Sequence, residues 1–288
     1  MIRLGLLVFA AVTFVVIGDV AGSLLTRAGV SPLLVAWARF ALAAAVLFPL
    51  LGLRWPERRA FADWRVLLRG ALIAGGIACI LTGLRTAPIA DVFGAFFIGP
   101  VVSYLLAVLF LGERPRAAQT LLLSLGFVGV MLVVKPGFGA GPGMGFALAA
   151  GCFYGAFLAM TRVVAGAYRP RLLLFSQLAV GTVLLAPLGL NAAGNAPSLD
   201  LPLAGLFVLS AFGSAAGNYL LVVASKRAEA SLIAPLIYTQ LISAVVLGFA
   251  VFGDVPDALA VVGMCLILVS GLGALGLRGA PAAAHKQR

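Results

Sequence analysis

Ten apolar stretches, each close to the length that crosses a bilayer, dominate this chain and leave few folds open to it. They run approximately from Leu4 to Thr26, Pro32 to Leu53, Val66 to Leu84, Pro88 to Leu111, Ala117 to Val134, Gly143 to Arg162, Pro170 to Leu190, Pro202 to Ala224, Ser231 to Phe252 and Pro256 to Leu277. About 20 apolar residues span the hydrocarbon layer as a helix, and only helices or closed barrels satisfy their backbone groups there. Apolar residues make up 63% of the chain and charged ones 10%, against about 45–50% and about 25% in a soluble domain. No soluble core absorbs such an excess, which excludes a soluble enzyme, a disordered regulator and a fibrous protein. The expected fold is all-α and integral to the membrane, with ten transmembrane helices. Arg3, the apolar run behind it and Ala21-Gly22-Ser23 have the look of a secretion leader. The full spanning length of that run, with nine more behind it, points instead to an uncleaved helix.

The cations set an orientation, because Lys and Arg concentrate in cytoplasmic loops. Assigning alternate loops to opposite sides puts 16 of the 20 cations on the side of both termini: Arg3, Arg54, Arg58, Arg59, Arg65, Arg69, Arg114, Arg116, Arg162, Arg169, Arg171, Lys226, Arg227, Arg278, Lys286 and Arg288. Arg27, Arg85 and Lys135 fall opposite, and Arg39 lies within a span. Both termini are therefore expected in the cytoplasm. The prevalence of Ala, Gly and Arg over Lys suggests a GC-rich bacterium, and so a bacterial inner membrane. A net charge of +11 would suggest nucleic acid in a soluble protein. Here the cations serve the anionic head groups, and no nucleic-acid partner is expected.

The chain also matches itself. A shift of 141 lays Leu111-Gly112-Glu113-Arg114-Pro115 on Phe252-Gly253-Asp254-Val255-Pro256, Ala117 on Ala258 and Gly76 on Gly217. A shift of 138 lays Ser31-Pro32 on Arg169-Pro170, Trp37 on Phe175, Leu42 on Val180 and Pro49 on Pro187. The division falls after the fifth span, giving halves 1–137 and 138–278 and a cytoplasmic tail 279–288. Five is odd, so the second copy enters from the opposite side, as two inverted five-helix repeats. That plan recurs in secondary transporters, which hold their cargo near mid-membrane between the halves.

Leu84-Arg85-Thr86-Ala87-Pro88-Ile89-Ala90, Gly99-Pro100, Leu109-Phe110-Leu111-Gly112-Glu113-Arg114 and Gly126 with Gly129 resemble the signature of EamA-type proteins of the drug/metabolite transporter superfamily. Trp37-Ala38-Arg39-Phe40 is similar to the Arg-Phe of that family's second span. The resemblance covers practically the whole chain in two copies, and bacterial aromatic amino-acid exporters look closest. It implies ten helices in two inverted five-helix halves, a central cavity lined mainly by spans 1, 3, 4, 6, 8 and 9, and export of small metabolites; with the repeat, a secondary transporter working by alternating access is expected. The second copy departs by having Leu241 for Pro100, Pro235 six residues earlier and Asp254 for Glu113. Its kink is therefore expected deeper in the ninth span.

An ionisable group inside a span costs roughly 2.5–3.5 kcal/mol on insertion scales, and is a functional candidate for that reason. Asp19 and Arg39 are the two such groups, at matching depth on consecutive helices, about 10 Å below the external surface. They can pair, either as a register for the first hairpin or as a site. In the second case Asp19 takes a substrate ammonium or a coupling proton, and Arg39 a carboxylate. Asp91, near the external start of span four, is a weaker candidate. Phe97, Tyr154, Asn218, Tyr219 and Tyr238 complete the candidate lining, through rings for stacking and tips for hydrogen bonding. Ser231, Pro235, Tyr238 and Ile242 share one helical stripe that excludes Gln240. Gln177 replaces Arg39 in the second copy, so the halves are chemically unequal. Glu113 and Asp254 read as helix-end interactions. Gly18 and Gly22, Gly151 and Gly155, and Gly213 and Gly217 are GxxxG pairs suited to close packing.

Other chemistry finds little support. Cys79, Cys152 and Cys265 sit singly in apolar runs and read as buried small hydrophobes, without metal-site or disulfide spacing. His285, the sole histidine, lies in the polar tail, which argues against a lipid-processing enzyme. The Gly137-Phe138-Gly139-Ala140-Gly141-Pro142-Gly143 run lacks the strand and helix of a nucleotide loop and reads as a linker. No cofactor, no metal and no catalytic residue are expected. The expected partners are a small-molecule substrate, bilayer lipid and protons, and self-association into a homo-oligomer stays open. Besides an amino-acid exporter, a cationic-drug exporter and a passive channel remain as alternatives.

Overall fold

A computed structural model describes residues 2–49, 55–112, 117–135, 141–164, 166–194, 196–225 and 236–279. Its described residues form α1 (Ile2–Arg27), α2 (Pro32–Leu47), a 3-10 segment (Trp55–Ala62), α3 (Trp64–Leu84), α4 (Ile89–Phe96), α5 (Gly99–Phe110), α6 (Ala117–Val134), α7 (Pro142–Val164), α8 (Pro170–Ala193), α9 (Leu201–Ser225), α10 (Gln240–Phe252) and α11 (Ala258–Gly279). Six helical spans are long and apolar enough to cross a membrane unaided, with α4 and α5 together making one, and four shorter apolar helices accompany them. The chain is a multi-pass, all-helical membrane protein. Glu113, Lys226 and Arg227, Ser231 to Pro235, the Gly137 to Ala140 part of the linker, and the tail with His285 lie outside the described residues.

Local chemistry fixes the breaks. Gly29, at φ +95°, turns the chain out of α1, and Pro32 then opens α2, so the first hairpin has a tight connection. The fourth run divides at Phe97-Ile98 because Pro100 has no N–H to offer the Phe96 carbonyl and its ring crowds that turn. The ninth run breaks at Tyr238-Thr239, the position that repeats Phe97-Ile98, while Pro235, on which a deeper kink was expected, lies outside the described residues. A proline is not needed there. The Thr239 hydroxyl donates to the Leu236 carbonyl at 2.6 Å, and tight three-residue bonds follow from Leu241 N–H to Tyr238 O and Ile242 N–H to Thr239 O.

The most extensive helix contacts are α1 with α9, α3 with α7, α6 with α11 and α2 with α8, and each joins one helix of residues 1–137 to one of 138–278. Exchanging the two halves exchanges the first two pairs and maps each of the others on itself. Glycine permits these crossings. A Cβ on Gly18 would lie 2.8 Å from Ser214 N and 2.9 Å from Ser210 O, one on Gly217 2.5 Å from Ala11 O, and one on Gly129 2.6 Å from Gly263 O. The main buried cluster, from Val16 and Phe40 through Phe93 and Phe97 to Leu241 and Ile267, lies along these contacts. The outer faces remain apolar: Leu109 is 72% and Phe110 78% exposed. Cys152 and Cys265 lie exposed on such faces and Cys79 is half-buried, which corrects the reading of all three as buried. In a bilayer an apolar residue is as well placed against lipid as in the core.

Polar ties join the halves at both ends. Tyr168 Oη donates to Asp63 Oδ2 at 2.8 Å, while Asp63 caps α3 by accepting from Arg65 N–H at 2.9 Å. At the other end Arg27 faces Asp254 at 3.9 Å and Lys135 pairs with Asp257. The backbone N–H of Arg65, then the Tyr168 hydroxyl, hold the Asp63 carboxyl below its usual range, and the bond to Asp63 raises the Tyr168 phenol.

Two outcomes follow. Gly18→Ala destabilises by about 1–3 kcal/mol through overpacking, seen as a lower melting temperature in detergent, whereas Gly5→Ala, with nothing within 4 Å, has little effect. The Asp63 contribution is complete above the free carboxylate value of about 3.9 and disappears as pH falls through its lowered folded value. The melting temperature of Asp63→Asn therefore declines less than that of the parent protein between about pH 5 and pH 3.

Candidate functional site

A cavity of about 110 Å³ lies among the helices, with Asp19 of α1, Arg39 of α2, Tyr154 of α7, Gln177 of α8, Asn218 of α9 and Gln240 of α10 on its wall. Its position follows from the pairing. The first hairpin splays, α1 toward α9 and α2 toward α8, and the gap is closed by side chains. Asp19 Oδ1 and Arg39 Nη2 meet there at 2.6 Å, each side chain 4% exposed. Desolvating both charges is expensive, and their mutual attraction offsets much of it. Nε and Nη1 of Arg39 are nonetheless buried without a hydrogen-bond partner. A cavity wall thus carries a guanidinium with donors to spare, matched in shape to a carboxylate.

Asn218, on α9, donates from Nδ2 to Ser214 O at 2.8 Å and brings a carboxamide to the same wall. Ile73, Ile77, Phe93, Phe96 and Tyr154 form an apolar wall. Phe96 and Tyr154 have ring centroids 4.9 Å apart, and Tyr154 continues to Phe157 at 6.0 Å. The wall therefore carries one buried ion pair, a carboxamide and an aromatic flank.

The candidates named from sequence divide. Asp19, Arg39, Tyr154 and Asn218 come together on the cavity wall. Phe97 and Tyr238, the repeat partners, lie beyond it and stack on one another with centroids at 4.9 Å and planes 19° apart; Tyr238 also sits against Gly271 of α11. Tyr219 is 53% exposed, on the outer side of α9, because it follows Asn218 by about 100° around the helix. Asp91 stands in the first turn of α4, in electrostatic reach of Lys135, Asp254 and Asp257, away from the cavity wall. Gln240 lines the cavity and Tyr238 does not, so these two side chains diverge as expected, with Gln240 and not Tyr238 on the inner side.

A further buried cation was counted among the loops. Arg69, in the second turn of α3 and 5% exposed, donates from Nε to Thr161 Oγ1 at 2.8 Å, from Nη1 to Leu173 O at 2.8 Å and from Nη2 to Gln177 Oε1 at 3.0 Å. Its guanidinium carbon lies 4.5 Å from the Phe157 ring centroid. The sequence held the signal, since Arg69 stands three residues inside the expected third span, and its removal from the loop count leaves the charge bias in place.

The EamA-like transporter family matches residues 3–135 and, a second time, residues 141–275. The chain belongs to that family. Among curated relatives, a riboflavin transporter of Rhizobium johnstonii is 31% identical, over 74% of this chain and 70% of its own. An S-adenosylmethionine uptake transporter of Rickettsia bellii is 29% identical, over 70% and 69%. A pseudopaline exporter of Pseudomonas aeruginosa is also 29% identical, over 71% and 72%. A crystal structure 18% identical in sequence superposes with a TM-score of 0.60 over 96% of each chain, which shows a common fold. The EamA chain described here is thus a membrane transporter, and its cavity is the place to seek a small-molecule substrate.

Breaking the ion pair singly should be costly. Arg39→Met leaves Asp19 buried and uncompensated and destabilises by about 3–5 kcal/mol, whereas the double change Asp19→Asn, Arg39→Gln loses distinctly less. Melting temperatures of the three proteins in detergent check the order.

Proposed function

We propose that this EamA protein is a secondary exporter of small zwitterionic metabolites, namely amino acids with aromatic or other apolar side chains, working by alternating access between two inverted halves. The observation that carries the reading is the meeting, on the wall of one cavity, of an acidic group, Asp19, a guanidinium with unpaired donors, Arg39, and an apolar flank of Phe93, Phe96 and Tyr154. An α-ammonium, an α-carboxylate and an apolar side chain meet those three surfaces in turn. The volume of about 110 Å³ favours a compact cargo, since drug-sized ligands occupy about 300–1,000 Å³. Two matched stretches of the family, and a helix pairing that is its own image on exchange of the halves, support a two-copy engine.

The remaining assignments rest on charge. The positive-inside bias supports both termini in the cytoplasm, in a bacterial inner membrane. Asp19 serves as the coupling group: it releases Arg39 and takes a proton or the substrate ammonium as the halves move. One relative is named for uptake and another for export; in the exporter proposed here an outward substrate gradient or an inward proton gradient sets the direction. A lone-cation drug is disfavoured because displacing Arg39 from Asp19 would leave the guanidinium without a counter-charge, which a zwitterion's carboxylate supplies.

The test is phenylalanine transport in proteoliposomes. Transport saturates, exchanges across the membrane, responds to an imposed pH gradient and resists competition by tetraethylammonium. Asp19→Asn abolishes the pH-driven component and keeps exchange. Non-saturable flux or strong competition by tetraethylammonium overturns the reading, and intact coupling in Asp19→Asn removes Asp19 from its role.

A further inference from the structure

We infer that Arg69, which stands behind the cavity wall, is a positioning residue: it turns the amide of Gln177 so that its NH2 faces the cavity and provides a second donor, beside Arg39, for an anionic group of the substrate. The chemistry of the guanidinium forces the orientation. It carries five N–H donors and no acceptor, so the amide atom 3.0 Å from Nη2 is the oxygen. The NH2 is then the arm left over, and Gln177, 7% exposed, is on the cavity wall. Arg69 is itself held in place by Thr161 Oγ1, Leu173 O and the face of Phe157.

The two donors are related. Gln177 occupies the position in the second copy that Arg39 occupies in the first, on α8, the helix packed against α2. Arg39 presents Nε and Nη1 without partners, and Gln177 adds a neutral NH2. A carboxylate offers acceptors only and can receive both. A carboxamide in the same place brings its own NH2, which meets donors on either side. The pair therefore selects acid over amide, and Arg69 keeps the selection by denying the Gln177 amide its other orientation. This rests on the amino-acid reading for its substrate, though not for the orientation itself.

The experiment compares uptake of phenylalanine with that of phenylalaninamide in proteoliposomes for the parent protein, Gln177→Glu, Arg69→Met and Arg69→Lys. Gln177→Glu keeps an oxygen on Arg69, as an ion pair, and removes the donor. The preference for phenylalanine falls about tenfold, the worth of one hydrogen bond to a charged group, through KM for the acid and with phenylalaninamide little changed. Arg69→Met lowers the preference similarly, and Arg69→Lys, still a donor without an acceptor, retains it. An unchanged preference in Gln177→Glu overturns the inference even where Arg69→Met does not fold. If the parent protein carries neither compound, the amino-acid reading fails while the orientation is still tested by nitrogen-15 labelling of the four glutamines. The side-chain NH2 signal of Gln177, assigned by its loss in Gln177→Glu, is expected to shift in Arg69→Met or, failing that variant, when Thr161→Val loosens Arg69, and to persist in Arg69→Lys. A signal indifferent to these changes overturns it.

Discussion

Helices that are apolar all round gain nothing by exchanging lipid for one another, so close backbone approach has to hold this bundle together. Glycine at the crossings supplies it. Gly18 against Ser210 and Ser214, Gly217 against Ala11 and Gly129 against Gly263 bring the two halves of the sequence together at distances where a methyl group has no room. The halves are consequently interleaved: every one of the four largest helix contacts runs from one half to the other. Movement of one half against the other therefore means sliding along small-residue seams, which present few side chains to repack.

Where the first hairpin opens between its partners, the bundle leaves a cavity, and the polar groups of the membrane interior collect on its wall. Asp19 and Arg39 sit there at 2.6 Å, and the low dielectric gives both the pair and its rupture a large energetic effect. A buried pair is poor evidence of stabilisation. A buried pair on a cavity wall, with guanidinium donors left unpaired, is better explained as a site. Arg69 adds a second buried cation one layer back, fully occupied by Thr161, Leu173 and Gln177, and so able to shape the wall without contacting what the wall binds.

Much of this was legible in the chain. Hydropathy placed the spans, because apolar length is what a bilayer demands, and the equal depths of Asp19 and Arg39 followed from helical rise. The GxxxG pairs marked Gly18, Gly213 and Gly217 as places for close packing, though not which helices would meet there. What escaped were facts of rotation. Tyr219 turns outward on the eighth span, one residue past Asn218, and Gln240 rather than Tyr238 reaches the cavity from the ninth span, whose interruption at Thr239 has no proline at the position that repeats Pro100. Phe97 and Tyr238 were paired correctly as repeat partners, yet they stack on each other and leave the lining to Tyr154. Arg69 was missed because a positive charge near a cytoplasmic helix end is ordinarily a loop charge, and only the tertiary arrangement brings Thr161 and Gln177 to it.

The central claim is that one cavity opens in turn to each face of the membrane. The most direct measurement uses Ser214→Cys, on the cavity wall, in a protein whose native cysteines are replaced, and reads its labelling by an impermeant thiol reagent applied to either face of oriented vesicles. The account predicts labelling from both faces in the free protein. Joining cysteines at positions 27 and 254 with a short cross-linker removes access from their face alone. Labelling that persists from both faces after the cross-link, or that never occurs from one face in the free protein, would contradict it.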